Sequence, residues 1–247
     1  MLTTILNDYS VVIFVICICS LIQSLFGVGI LLFGTPTFLF LGFSFEEALG
    51  FTLPASLSIS ILQIFSNHTL IMDRTISVLI VIPSLSLGLL FLFLTNQSDI
   101  TQLFIGLILI FVALTRLSTN LSSYVTSVIK SYQKITLGFT GFVHGFTNLG
   151  GGLLTFYSAT RYADKKIITS NIAFIYAIFA VIQITYLIFF SRFNFSPLSL
   201  VLPFISSLIF IFSGNHLIEN IKNKDYSKII TLIIFAYGIL SLVGFFK

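Results

Sequence analysis

Two short glycine-rich stretches are the parts of this sequence best suited to chemistry. Phe26 to Pro36 reads FGVGILLFGTP, and Thr147 to Tyr157 reads TNLGGGLLTFY. Glycine lets a ligand approach the backbone closely, and a helix starting just after such a turn presents unpaired N–H groups, so an anion can be held without a buried positive charge. Gly27 and Gly29 in the first stretch and Gly150, Gly151 and Gly152 in the second are the leading candidates for substrate contact. Polar side chains nearby add donors: Gln23, Ser24, Thr35, Thr52 and Ser56 around the first, and His144, Thr147, Asn148, Thr155, Tyr157, Ser170 and Asn171 around the second. Each hydroxyl has a local alternative, because Ser and Thr in apolar helices bond their own backbone carbonyls. The glycines have one in helix packing, and their recurrence in two stretches is what favours a ligand.

Ionisable groups are informative by their absence. No Asp, Glu, Lys or Arg falls well inside a long apolar run, so the sequence contains no carboxylate proton relay and no buried counter-ion. His144 is the exception, about one helical turn before the second glycine stretch, where it suits either a proton-sensitive substrate contact or a packing residue. It has no carboxylate or Cys at motif spacing, which argues against an enzyme. Glu46 and Glu47 read as a solvated loop, and His68, Asp73, Arg74 and His216 as loop residues on the basic side. Cys17 and Cys19 are the only cysteines; spaced two apart in an apolar run, they are small core residues rather than a disulfide framework or metal cluster. No metal or cofactor is expected.

The elements that position these residues follow from composition. The 247 residues are 57% hydrophobic and 8% charged, with a mean hydropathy of +1.10. A soluble domain carries about 25% charged residues, so the chain is an integral membrane protein. The scarcity of charge also excludes a disordered chain, a coiled coil and a nucleic-acid binder. Apolar runs of spanning length cover about 10–43, 48–65, 76–94 and 100–114, then 135–158, 167–190, 198–212 and 229–246. The first would be roughly 50 Å long as one helix, against a hydrocarbon core of about 30 Å. It must break, and Gly27, Gly29, Gly34 and Pro36 lie at its middle. No basic residue precedes this run, so a cleaved signal peptide is not expected.

Charge separates a hairpin from a single crossing. When both leading runs fold back, the intervals 66–75, 116–134, 159–166 and 213–228 share a face. That face holds Arg74, Arg116, Lys130, Lys134, Arg161, Lys165, Lys166, Lys222, Lys224 and Lys228, ten of the twelve basic residues, with Arg192 and Lys247 opposite. The positive-inside rule makes it cytoplasmic.

The two groups of four runs also repeat. At a spacing of 121, Gly29 falls on Gly150, Gln23 on His144, and Cys17, Ser20 and Ser24 on Gly138, Gly141 and Gly145, one smooth helical face in each copy. Past the hairpin the spacing becomes about 119, with Gly50 opposite Thr169. A hairpin plus three crossings is an odd number, so the second copy starts on the other side of the membrane. The expected fold is an all-α polytopic membrane protein of two inverted repeats, 1–117 and 135–247, each a broken helix hairpin plus three transmembrane helices, joined by a cytoplasmic linker at 118–134.

These residues resemble the sulfite exporter family TauE/SafE, whose halves each carry a Phe-Gly-Ile-Gly-Gly-Gly stretch, aliphatics and a Pro, then Ala-Val-Gly-Thr-Ser-Leu. The first copy supplies Phe26, Gly27, Gly29 and Pro36, then Ala48, Gly50, Thr52 and Leu53; the second supplies Gly150, Gly151, Gly152, Leu153 and Leu154, then Ser170. Ile30 and Leu31 stand where the family has two glycines, Asn148 where it has another, and Tyr157 where it has the second Pro. The resemblance implies a secondary transporter of small sulfur-containing oxyanions or organosulfonates working by alternating access. A passive anion channel and a non-transporting structural membrane protein are the alternatives. On this reading the partners are a small anionic substrate and the lipid bilayer, with a homodimer left open, and the expected location is a bacterial inner membrane.

Overall fold

In the computed structural model, residues 2–95, 98–191, 193–214, 228–229, 231–232 and 234–239 are described. Arg192, His216, Lys222, Lys224 and Lys247, together with much of the run 229–246, lie outside them. The described residues form helices and no strand. In chain order these are α1 (Leu2–Phe26), α2 (Thr35–Phe40), α3 (Phe45–Ser66), α4 (Arg74–Thr95), α5 (Ser98–Leu117), α6 (Thr119–Ser131), α7 (Gln133–Thr147), α8 (Gly151–Arg161), α9 (Lys165–Phe189) and α10 (Pro197–Ile209). Wide π turns at Ile30–Gly34 and Phe210–Gly214 precede α2 and follow α10. Among the described residues, four helices are long and apolar enough to cross a membrane, and a fifth span results if the α5–α6 pair counts as one.

The distribution of polarity is that of a membrane protein. Gln23, Ser56, Ser60, Thr140, His144, Asn148 and Gln183 are buried, whereas Leu79, Leu94, Phe189 and Phe204 are exposed. Water would reverse this arrangement; lipid favours it, because polar groups are sheltered inside and apolar side chains meet acyl chains.

Both leading runs break where glycine makes a break inexpensive. Gly27 has φ 72°, and Asn148, 121 positions on, has φ 59°, the left-handed conformation that Gly adopts freely and Asn tolerates. Their amides donate to the carbonyls of Gln23 and His144 at 2.8 and 2.7 Å. The chain then doubles back. A Cβ built on Gly29 would lie 2.5 Å from the Cys19 carbonyl oxygen, and one on Gly150 would lie 2.7 Å from the Thr140 carbonyl oxygen. Residues ten apart in a continuous helix are about 15 Å apart. Pro36 then starts α2 within its first turn, where its missing N–H costs nothing.

Three local signals shape the remaining helices. Ser44 and Glu47 form a reciprocal capping box at the start of α3, which gives Glu47 a structural role on an exposed end. Asp164 caps α9 by accepting from the Lys166 and Ile167 amides. The 118–134 linker is mostly helical: Ser118 caps α6, which lies 104° from the axis of α5 and buries Ile129.

Small residues set the tightest seam. α4 packs chiefly on α7, where a Cβ on Gly88 would overlap the Phe142 carbonyl, one on Gly145 the Leu85 carbonyl, and one on Gly141 the Ser84 hydroxyl. α3 lies between α9 and α10, and α10 also contacts α1, where the Ser20 and Ser206 hydroxyls bond at 2.9 Å. The buried face of α3 is Ala48–Leu53, Ala55, Ser56, Ile59, Ser60 and Gln63, and that of α9 matches it position for position at a spacing of 120. This corrects the spacing of 119 beyond the hairpin: Gly50 faces inward where Ser170 does, and Gln63 where Gln183 does. Replacing Gly145 by Leu should lower the Tm of detergent-solubilised protein by roughly 2–10 °C through overpacking of this seam. Ser86→Ala, on the exposed side of α4, should change stability by less than about 0.5 kcal/mol.

Candidate functional site

The two turns meet. The Asn148 side-chain Nδ2 donates to Thr35 Oγ1 at 2.7 Å, joining the start of α2 to the turn before α8. The direction of this bond is set by its neighbours. Thr52 donates its hydroxyl to the Ala48 carbonyl at 2.8 Å and lies 3.4 Å from the Thr35 hydroxyl. Thr52 must therefore accept from Thr35, and Thr35 from the amide of Asn148. Asn148 Oδ1 is left buried with no hydrogen-bond partner.

Around the first turn, Gln23 meets every demand. Its Oε1 accepts from the Ile30 amide at 3.2 Å and from Ser56 Oγ at 3.0 Å, while Nε2 donates to the Ser56 carbonyl at 3.0 Å and to Ser60 Oγ at 3.3 Å. Gln63 Nε2 donates to the carbonyls of Gln23 and Ser24 near the C-terminal end of α1, the first of which also accepts from the Gly27 amide. Ser24 bonds back to the Ser20 carbonyl. The first turn is thus tied into a dense polar network, in which only Gln63 Oε1 among these side-chain atoms lacks a partner.

The second turn is different. His144 occupies the position of Gln23, yet both ring nitrogens are buried without a partner. Its ring stacks on Phe179 with centroids 3.9 Å apart, and Tyr176 lies 5.7 Å away. Gln183, in the position of Gln63, sits beside His144 and acts on its ring as a hydrogen-bonding neighbour, although neither of its amide atoms makes a contact of full hydrogen-bond geometry. The Tyr176 hydroxyl is likewise buried and unpartnered, and it abuts Gly151 so closely that a Cβ there would overlap it. Thr147 supplies one local bond, accepting from the Leu149 amide at 3.1 Å. A phenol and an imidazole thus lie against Gly151 and Gly150 at the start of α8, with the Gln183 amide beside the imidazole, while the Gly152 amide reaches back to the Leu149 carbonyl at 3.4 Å.

Of the residues expected at the site, Gln23, Thr35, Thr52, Asn148 and Gly150 to Gly152 come together at the joined turns. Gly27 lies against α9, where a Cβ would be 3.1 Å from the Thr169 carbonyl. Gly29 and Gly150 are packed against the preceding helix. Ser170 bonds the Lys166 carbonyl at 2.6 Å. Asn171 pins the segment between α3 and α4: its Oδ1 accepts from the Met72 amide at 2.8 Å and its Nδ2 donates to the Leu70 carbonyl at 3.0 Å. Thr155 bonds the Gly152 carbonyl, and the Tyr157 hydroxyl accepts from Arg161 at 2.8 Å. Tyr176 and Gln183 were not singled out from the sequence. For Gln183 a signal was present, since ILQI at 61–64 and VIQI at 181–184 are 120 apart, but a spacing of 119 hides it.

One end of the bundle carries an ionic strap. Arg161, at the far end of α8, pairs with Asp73 at 2.6 Å and lies over the Tyr157 and Tyr162 rings. Burial raises the Tyr162 phenol above its usual range against the lowering pull of Arg161, so the ring stays neutral beneath the guanidinium. The intervals 66–75 and 159–166 thereby share an end.

The family model described as Sulfite exporter TauE/SafE matches residues 12–241. The chain belongs to this family. TauE/SafE proteins are membrane transporters, and the apolar helices of this chain agree with that membership. No curated protein and no solved structure matches the chain.

Gly151→Ala should destabilise the protein by about 1–3 kcal/mol by driving a methyl into the Tyr176 hydroxyl, and Tyr176→Phe in the same chain should recover at least about 1 kcal/mol of that loss. Thermal unfolding of the four variants of this cycle measures it. Equal losses with and without the hydroxyl would mean that the ring does not abut the turn.

Proposed function

We propose that this TauE/SafE protein is a secondary transporter of small anions, sulfur-containing oxyanions or organosulfonates, which binds its substrate where the two turns meet and moves it by alternating access. The observation that carries the reading is the Asn148–Thr35 contact, with buried donors unspent on the second turn beside it. An anion deep in a bilayer has lost its water and needs donors; the α8 amides, the Tyr176 hydroxyl and the Gln183 amide are of that kind.

Two inverted repeats, 1–117 and 135–247 with the linker 118–134 between them, supply the exchangeable geometry. Support comes from the paired left-handed residues Gly27 and Asn148, from the paired back-packed glycines Gly29 and Gly150, and from the matching buried faces of α3 and α9. The basic end near Arg161 is cytoplasmic in a bacterial inner membrane on this reading, by the positive-inside rule.

Flux measurements in proteoliposomes with sulfite, thiosulfate, sulfoacetate and sulfate test the assignment. Saturable uptake, accelerated by unlabelled anion on the far side, is expected for at least one of them, and Thr35→Val should lower it at least about tenfold with membrane insertion intact. Flux that neither saturates nor responds to counter-anion would point to a channel. A cysteine replacing Lys166 should resist an impermeant maleimide in intact cells; rapid labelling from outside would overturn the topology.

A further inference from the structure

The atoms left unpaired at the second turn are not all donors. Tyr176 OH and Gln183 Nε2 offer hydrogens, as a helix start such as Gly151 does, but Asn148 Oδ1 is a buried acceptor, and its role is forced because Thr35 occupies the other side of that amide. An unmet buried acceptor costs about 1–3 kcal/mol, and a carboxylate or dianion placed against it would raise that cost. Among the described residues no buried cation offsets a second negative charge: the buried ionisable groups on α1, α7, α8 and α9 are Cys19, His144, Tyr157 and Tyr176, while Lys134, Lys165 and Lys166 lie at helix starts ten or more residues from His144 and Tyr176. Arg161 is ten residues along α8 from Gly151, about 15 Å away by helical rise, and it is engaged by Asp73 and Tyr157.

Resting on the transport reading, we infer that the substrate is the singly charged, O-protonated form of an oxyanion. Its hydroxyl donates to Asn148 Oδ1, while its bare oxygens accept from the Tyr176 hydroxyl and the α8 amides. A dianion lacks the donor and carries a charge that nothing at the turn balances. An alkylsulfonate has the right charge but no O–H.

Influx into proteoliposomes holding the full-length protein, measured above protein-free vesicles, tests this with four probes. Sulfite and selenite each lose a second proton at a different pH; sulfate stays doubly charged; methanesulfonate is a monoanion without a hydroxyl. At fixed total concentration, sulfite influx should fall about tenfold per pH unit once its second proton is lost, and the midpoint should shift for selenite to that ion's own ionisation. Sulfate and methanesulfonate should each be carried at least tenfold more slowly than hydrogensulfite. Asn148→Gly, which keeps the left-handed turn as Gly27 does in the first copy, should shrink the preference over methanesulfonate severalfold. A midpoint common to sulfite and selenite would assign the pH dependence to a protein group such as His144 and overturn the inference, as would methanesulfonate influx equal to that of hydrogensulfite. Either result leaves anion transport standing, whereas no influx of any of these probes, nor of thiosulfate or sulfoacetate, removes both.

Discussion

A helix that unwinds inside an apolar bundle exposes amides and carbonyls that no water can reach, and each must find a partner within the protein. This chain meets that constraint twice, in two ways. At Gly27–Gly29 a single glutamine side chain, Gln23, absorbs the freed amide of Ile30 and locks itself to Ser56 and Ser60. At Asn148–Gly150 the same place holds an imidazole, with the Gln183 amide beside it and the Tyr176 phenol nearby, and none of the three makes a hydrogen bond of full geometry. The first turn leaves one buried acceptor unmet, Gln63 Oε1, and the second leaves unpaired atoms on four residues, His144, Asn148, Tyr176 and Gln183.

The glycines serve this arrangement through shape more than through exposed N–H groups. Gly29 and Gly150 let each turn lie directly on the helix that precedes it, and that back-folding brings the two turns within hydrogen-bonding reach of each other. Phe179 forms the wall behind His144, so the polar atoms face the turn from a rigid apolar support. The Thr52–Thr35–Asn148 chain then fixes which atom of Asn148 is free. Fold and chemistry are joined through that short relay of hydroxyls.

The breaks in both leading runs were legible because glycine and proline act locally: Gly27, Gly29 and Pro36 mark a place where a helix of that length has to stop. The α7 stripe of Gly138, Gly141 and Gly145 was legible for the same reason, though its partner was not; that the seam closes on Gly88 of α4 depends on a contact far along the chain. Asn171 looked like a ligand contact and instead holds Leu70 and Met72, about a hundred residues earlier, a use of its amide that no local pattern announces. Tyr176 and Gln183 lay in an apolar run whose buried face cannot be chosen by periodicity alone, since all sides of α9 are hydrophobic enough to be inside. A slip of one residue in the repeat spacing was sufficient to hide Gln183.

The glycine seam between α4 and α7 has a mechanical meaning. α4 precedes the linker and α7 follows it, yet they approach closely enough for backbone to press on backbone, while α1 is served in turn by α10. The packed bundle is therefore braided from both ends of the chain, and neither half severed at α6 would own a finished surface. During synthesis α4 must wait in the lipid, its glycine notch empty, until the ribosome has delivered α7.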